Sequence, residues 1–425
     1  MRSETSNIWR RIDWLLILFY ILFVGFGWLN IYAASAGEDA QSFLTFSNNH
    51  GKQLYWIIFC IPFIFITLLI NAKFYVKYAS AFYMASILSL IGLFLFGKNI
   101  NGATSWYSIG SMGIQPSEFA KSAIALAMAK LVCDKHFKLG SFKHQLEAFI
   151  LIAIPGILIA LQPDPGSAII YLSFILVLHR EGLPISYLYI SFFAITLFIA
   201  TLYFGYTSLL ISLIILFFFI SIYIYKYKQK VFRQYLYKII VLFLISISYT
   251  YSTQIIFDHV FEQRHRDRFN ILLGKTIDVK DIGYNTNQSV RAIASGGDFG
   301  KGFLQGERTR GNFVPEQQTD YIFCTVGEEW GFAGTATVVV LFLFFILRIL
   351  YKSERQKSPF TRIYGIGVAS VFFFHFAINI GMVVGILPTI GIPLPFFSYG
   401  GSSLWGFTLL LFIFIRLDAN KRNEL

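Results

Sequence analysis

The chain has 425 residues and a formal net charge of +12, yet only 14% of it is charged, while 56% is hydrophobic and 18% aromatic. Soluble domains carry about 25% charged residues, so this composition excludes a soluble globular protein. The basic residues are scattered through short loops, which argues against a nucleic-acid surface, and Cys60, Cys133 and Cys324 lack the spacing of a disulfide framework or zinc site.

Apolar runs near the ~20 residues needed to cross a hydrocarbon core as a helix recur from end to end and predict an all-α fold, a polytopic helical membrane bundle. The predicted spans are 13–34, 53–71, 76–97, 117–133, 146–161, 166–179, 184–204, 207–225, 239–257, 331–351, 364–386 and 403–417. The first reads as a retained span, because no convincing small-residue cleavage site follows it. The weakest by hydropathy are 117–133 and 166–179, which puts the count at about 10–12 helices. A tight Phe204-Gly205-Tyr206 connection makes 184–225 a hairpin or one long broken helix. The segment 258–330, which precedes the last three spans, is too long for an idle connector and is expected to hold short helices on the membrane surface. The whole reads as one membrane domain, 1–425, with an extra helical hairpin near 207–257.

Charge sets the orientation. With the N-terminus inside, Arg2, Arg10, Arg11, Lys73, Lys77 and the basic stretches CDKHFKLGSFKHQ, HREG, KYKQKVFRQYLYK, RILYKSERQKSPFTR and DANKRNEL all fall on the cytoplasmic side. Segments 98–116, 162–165, 258–330 and 387–401 are then extracytoplasmic.

The candidate residues lie mostly in or beside those outer segments. Trp106, after NGATS, suits either a membrane interface or a sugar ring. Glu118 and Lys121, three apart after the helix start at Pro116-Ser117, share a face and belong in the bundle or a wet cavity, as a tolerated ion pair or a functional one. Asp164, between two prolines in QPDPGSA, fits turn chemistry. ASGGDFGKGFLQG (294–306) lacks the context of a nucleotide loop, but its amides could meet a phosphate, as could Arg308 and Arg310. In FVPEQQTDYIF, Asp320 reads as a helix cap or a general base. Thr319 is an equally good cap, and Glu328 and Glu329 follow on the same helix. His375 and Asn379, four apart, read as helix-to-helix hydrogen-bonding groups.

In order, the blocks NGATSWYSIGSMGIQPSEFAK, QPDPGSA, QSVRAIASGGDFGKGFLQG, FVPEQQTDYIFCTVGEEWGFAG and LPTIGIPLPFFSYGGSS resemble the hallmark blocks of SEDS proteins, the shape, elongation, division and sporulation polymerases of bacterial cell walls. The FVPEQ wording is more similar to the RodA (elongation) branch than to the FtsW (division) branch. The resemblance implies a peptidoglycan glycosyltransferase of the bacterial inner membrane that polymerises lipid II. It makes Asp320 the catalytic acid and matches Trp106, Glu118 and Lys121; these three, with Arg308, Arg310 and Glu328 from the reading of the residues, are the candidates for substrate binding. Asp164, Gly166, Pro395, Ser398, Gly400 and Gly401 become structural motif residues. A class B penicillin-binding protein and other elongation-complex membrane proteins are the implied partners.

Two departures stand out. Gln318 replaces the family's usual histidine beside the acid, and twelve predicted spans exceed the family's ten, the extra pair lying near 207–257. The expected chemistry is attack of a GlcNAc 4-hydroxyl, deprotonated by Asp320, on an anomeric carbon carrying undecaprenyl pyrophosphate. Lys121, the two arginines, loop amides or a divalent cation (Mg or Mn) would stabilise the leaving diphosphate. The competing readings are a lipid II flippase and a non-catalytic scaffold.

Overall fold

The computed structural model describes residues 9–35, 48–100, 102–110, 112–227, 232–261, 263–275 and 282–420. Among the residues used above for orientation, Arg2, 228–231 and 421–425 lie outside these. Among the described residues, ten helices are long and apolar enough to cross a membrane, and the protein is a multi-pass membrane protein. In lipid a helix satisfies every backbone polar group within itself, so long apolar runs have this outcome open to them.

The chain forms two compact units, one of residues 1–183 with 285–425 and a second of Pro184–Tyr284. The first begins with α1 (Trp14–Ser35), α2 (Asn49–Leu69) and α3 (Ala72–Phe96). A small antiparallel meander follows: β1 (Lys98–Ile100), β2 (Ala103–Ile109) and β3 (Met112–Ile114), with Lys98 opposite Trp106 and Tyr107 opposite Ile114. Hydropathy marks this stretch only as a polar outer segment. Its positive-φ glycines, Gly102 and Gly110, supply the turns that fold it into strands.

Next come α4 (Pro116–Val132), α5 (Phe142–Ala160), and the pair α6 (Pro165–Ile170) and α7 (Phe174–Arg180), joined by a 3-10 turn. The two spans predicted as weakest are therefore both short helical segments. α4 reads weakly because it is rich in alanine. Ala120, Ala123, Ala125, Ala127 and Ala129 are all buried, which suits close helix packing rather than lipid contact.

The second unit holds α8 (Ser186–Phe204), α9 (Tyr206–Tyr227), α10 (Phe232–Ile255) and α11 (Gln263–Leu272). Leu197 packs in one cluster with Leu209 and Leu213. A continuous helix would hold Leu197 and Leu213 about 24 Å apart, so 184–225 is a hairpin, turned at Gly205 (φ 79°). Hydroxyls of Thr201, Ser221 and Thr250 donate to carbonyls four residues earlier, which keeps them satisfied among apolar neighbours.

The chain continues through α12 (Ile282–Ser295) and the single turn α13 (Glu307–Arg310) to α14 (Ile322–Glu354), α15 (Pro359–Val383) and α16 (Gly401–Ala419). Helices α15 and α16 are the inner ones, 72% and 83% buried against 22% for α2 and α3. Phenylalanines fill the space between α1, α14 and α15: Phe23 stacks on Phe342 with centroids 4.1 Å apart, and Phe342 on Phe376 at 5.2 Å.

The predicted start of the tenth span, residue 331, coincides with a break. α14 begins at Ile322, but Gly331 interrupts it with φ 65° and ψ −161°. The glycine-rich segment closes this gap. Lys301 and Gly302 N–H groups donate to the Glu328 and Glu329 carbonyls, both at 3.0 Å, while Phe332 and Ala333 N–H groups donate to Gly297 and Asp298 carbonyls at 2.8 and 2.9 Å. Helix ends leave such groups unpaired, so the loop satisfies both new ends. Of the loop amides expected to meet a phosphate, those of Lys301 and Gly302 are committed to α14.

Candidate active site

Asp320 precedes α14 and is half-buried. It is not the helix cap. Tyr321 occupies that position without a side-chain cap, and the Thr319 hydroxyl turns back to the Glu316 carboxylate at 2.9 Å. Neither predicted capping role is therefore observed. Instead the Asp320 carbonyl accepts a hydrogen bond from Asn379 Nδ2 (2.8 Å), and the same amide donates to the Ile392 carbonyl (2.7 Å). A Cβ on Gly391 would lie 3.4 Å from Asp320 Oδ2, so the carboxylate rests against the 387–401 loop at a residue without a side chain.

That loop is held at several points. Pro395 lies in a turn closed by the Leu394 N–H donating to Ser398 Oγ (2.8 Å). The Tyr399 N–H donates to the Gln318 carbonyl (2.8 Å), and the Gly400 N–H to Gln53 Oε1 (3.1 Å). Gly401 packs so tightly that a Cβ would lie 2.6 Å from the Trp56 ring. The Gln318 amide ties the end of α1 to the start of α2: its Oε1 accepts from Asn49 Nδ2 (2.5 Å) and its Nε2 donates to the Ala34 carbonyl (3.1 Å).

Asp164 caps α6, accepting from the Ser167 N–H at 3.0 Å, and its other oxygen accepts from Gln115 Nε2 at 2.9 Å. A Cβ on Gly166 would lie 2.6 Å from the Ile390 carbonyl, so only glycine lets α6 approach the loop this closely. Gln115 in turn connects to α16, its N–H donating to Ser402 Oγ at 3.1 Å. Trp106 on β2 lies over Gly113, where a Cβ would stand 3.0 Å from the indole.

Glu118 and Lys121 form the ion pair that their spacing predicts, 2.7 Å apart and 3–4% exposed. The ammonium has two further neighbours, His375 Nε2 at 3.0 Å and the Phe407 ring centroid at 4.3 Å. On the side of α4 that bears Phe119 and Leu126, an apolar cavity of about 360 Å³ is bounded by Tyr75, Phe82 and Ile413.

Glu328 and Arg308 belong to a separate cluster. The Glu328 carboxylate is 0% exposed and accepts from the Arg308 N–H (3.0 Å), the Thr309 N–H and hydroxyl (both 2.8 Å) and Lys301 Nζ (3.1 Å). It holds α13 and the glycine segment onto α14 and has no open face toward a ligand. The Arg308 guanidinium donates to Gln288 Oε1 at 2.5 Å. Arg310 lies on the same single turn. Among the described residues, no group of three or more His, Cys, Asp or Glu side chains is arranged to hold a metal ion.

The arrangement therefore brings Asp320 and Gly166 against one loop, with Asp164 capping the helix that carries Gly166, places the Glu118–Lys121 pair on α4 against α15 and α16, and sets Arg308 and Glu328 apart. His375, Asn379, Gln53 and Asn49 are parts of it that motif reading does not identify. The only local signal was the four-residue spacing of His375 and Asn379.

Known proteins resemble the whole chain. It is 30% identical over 432 residues to the peptidoglycan glycosyltransferase RodA of Treponema pallidum (strain Nichols), covering 96% of this chain and 98% of that relative. The Escherichia coli K12 peptidoglycan glycosyltransferase MrdB is 31% identical over 336 residues, or 79% of this chain and 76% of that protein. A chain from a solved peptidoglycan synthase complex has a TM-score of 0.70 at 21% identity, covering 97% of this chain and 99% of that one. Thermus thermophilus RodA has a TM-score of 0.62 at 20% identity, covering 98% and 99%. These structural likenesses are of fold. The family model for the cell cycle proteins FtsW, RodA and SpoVE matches residues 13–236 and 210–423, and with it the chain belongs to the SEDS family.

Proposed function

We propose that this peptidoglycan glycosyltransferase polymerises lipid II into glycan strands during cell elongation, with Asp320 as the general base. The observation that carries the reading is the placement of Asp320, its backbone pinned by Asn379 and its carboxylate set against Gly391. A base must be held where the reacting hydroxyl arrives, and this acid is fixed by its main chain while its side chain stays half-exposed.

In the proposed step the 4-hydroxyl of the GlcNAc on lipid II attacks the anomeric carbon of the growing strand. Asp320 takes the hydroxyl proton, the new glycosidic bond forms, and the bond to undecaprenyl pyrophosphate breaks with its electron pair leaving on the diphosphate. Diphosphate is already a good leaving group, so one carboxylate suffices where hydrolases use two. Lys121, held inside the bundle by its ion pair, and the Arg308/Arg310 pair, on the α13 turn apart from the acid loop, are the cations whose positive field we assign to the diphosphate, with Trp106 as a stacking face for a sugar. The apolar lining of the cavity beside α4 suits part of a polyprenyl tail.

The basic loops support cytoplasmic termini and an extracytoplasmic Asp320. A class B penicillin-binding protein is the partner we infer. The test is purified protein with that partner and labelled lipid II in detergent, where flipping cannot be scored. Polymer from the wild type and none from Asp320→Asn is the expected result. Unchanged polymerisation by Asp320→Asn rejects Asp320 as the base, and transport across liposomes without polymer identifies a flippase instead.

A further inference from the structure

The acid loop and the buried ion pair meet on one face of α15. His375 and Asn379 are four residues apart, hence one above the other on the helix. They are 2% and 0% exposed. His375 Nε2 lies 3.0 Å from Lys121 Nζ, and its Nδ1 lies 3.2 Å from the Pro393 carbonyl. The ammonium can only donate, so Nε2 accepts and the ring proton sits on Nδ1, donating to Pro393. One turn further along, Asn379 Nδ2 donates to the Asp320 and Ile392 carbonyls. Both of its partners are acceptors, which fixes the amide orientation and leaves Oδ1 buried without a partner among the described residues.

We infer that His375 and Asn379 are positioning residues for glycosyl transfer: one rigid helix face that sets the Lys121 ammonium and the Asp320 main chain at a fixed separation. The inference rests on Asp320 and Lys121 acting as proposed above. Two observations favour it over simple packing. A buried, unpaired amide oxygen carries a desolvation cost that a side chain serving only as filler would avoid. Each residue also spans two elements, His375 joining α4 to the 387–401 loop and Asn379 joining that loop to the Asp320 segment. Burial would be satisfied by apolar side chains, but such side chains could not hold three carbonyls and a cation.

The test measures kcat and KM for lipid II on the full-length protein with its partner, alongside the thermal midpoint in detergent, for His375→Phe, His375→Gln and Asn379→Asp. Misplacement of reacting groups by about 1 Å costs up to about 100-fold in rate. His375→Phe and Asn379→Asp should therefore lose about 10- to 100-fold in kcat, with KM within about threefold. His375→Gln keeps an acceptor for Lys121 and should recover most of the rate. Wild-type kcat in either disruptive variant overturns the inference, as does a loss that merely follows the folded fraction, or a His375→Gln protein as slow as His375→Phe. Should His375→Phe not fold, the other two decide. A near-normal Gln variant beside a slow Asp variant supports the strut, and any other combination rejects it. Asp320→Asn run in parallel separates this inference from the base assignment: its continued activity rejects the base alone, whereas an inactive Asp320→Asn beside active His375 and Asn379 variants rejects the strut alone.

Discussion

Lys121 shows how a charge is kept inside this bundle. Its ammonium is enclosed by a carboxylate at 2.7 Å, an imidazole nitrogen at 3.0 Å and an aromatic face at 4.3 Å. Removing one member of a buried pair typically costs about 3–5 kcal/mol, because it strands the other charge. Lys121→Met should lower the thermal midpoint in detergent strongly, and the double variant Glu118→Gln/Lys121→Met should recover much of that loss. The pair itself was legible in the sequence, because three-residue spacing on a helix makes neighbours. The third partner was not, since His375 lies 254 residues from Lys121 and only the packing of α15 on α4 brings them together. Asp320 was legible as an acid at a helix start. The sequence offered no sign that its backbone, rather than its side chain, would be the part held fast.

At the scale of elements, the break in α14 is the least forgiving feature. Gly331 adopts φ 65° and ψ −161°, a region that essentially only glycine populates, at about 1–3 kcal/mol for other residues. A Cβ there would also stand 2.3 Å from the Gly300 nitrogen. Gly331→Ala should therefore fold in lower yield and unfold at lower temperature. Gly156→Ala in α5, where a Cβ meets nothing within 4 Å, should be neutral or stabilising by up to about 1 kcal/mol. Hydropathy located the break as the start of a span, since the turns on either side differ in polarity. The purpose of the glycine-rich segment was not readable, because its partners are backbone atoms of a helix about thirty residues downstream. The β-meander was missed for a related reason: two of its three strands are only three residues long, and its fold is set by turns rather than by alternation.

Across the first unit, polar contacts gather at its two ends. One end holds Asp320, Asp164 and the 387–401 loop. The other holds a charged cluster around Asp13, which caps α1 by accepting from the Leu15 N–H (3.1 Å) and pairs with Arg348 (2.8 Å) and Lys352 (2.7 Å) on α14. Arg362 pairs with Glu181 at 2.8 Å in the same way. Burial pushes the Asp13 carboxyl up, but Lys352 and Arg348 outweigh it and hold it below the usual carboxylate range. A depressed carboxylate stabilises the fold at pH above its unfolded value of about 3.9 and loses that contribution as pH falls through the lower folded value. The thermal midpoint should thus fall as the buffer is taken below about pH 4, and Asp13→Asn should show a lower plateau with a shallower acid dependence. The membrane class and the separation of basic loops from acid-bearing segments were plain from composition and charge. The two-unit organisation was not, because hydropathy reports span length and says nothing of which spans pack together.

The glycine clamp on α14 also has a consequence for biogenesis. A ribosome delivers Gly296–Gly302 before it has made Gly331, so the loop amides that pair with Glu328 and Glu329 have no partners when they emerge. The segment of α14 after Gly331 likewise lacks partners for its Phe332 and Ala333 N–H groups until the loop is in place. The clamp therefore closes only after the chain has been made through Ala333, later than the loop itself and every earlier span. The acid-bearing segment finishes later still, because its contacts to Asn379 and Gly391 lie further along the chain, so a chain stalled at the clamp carries no finished site.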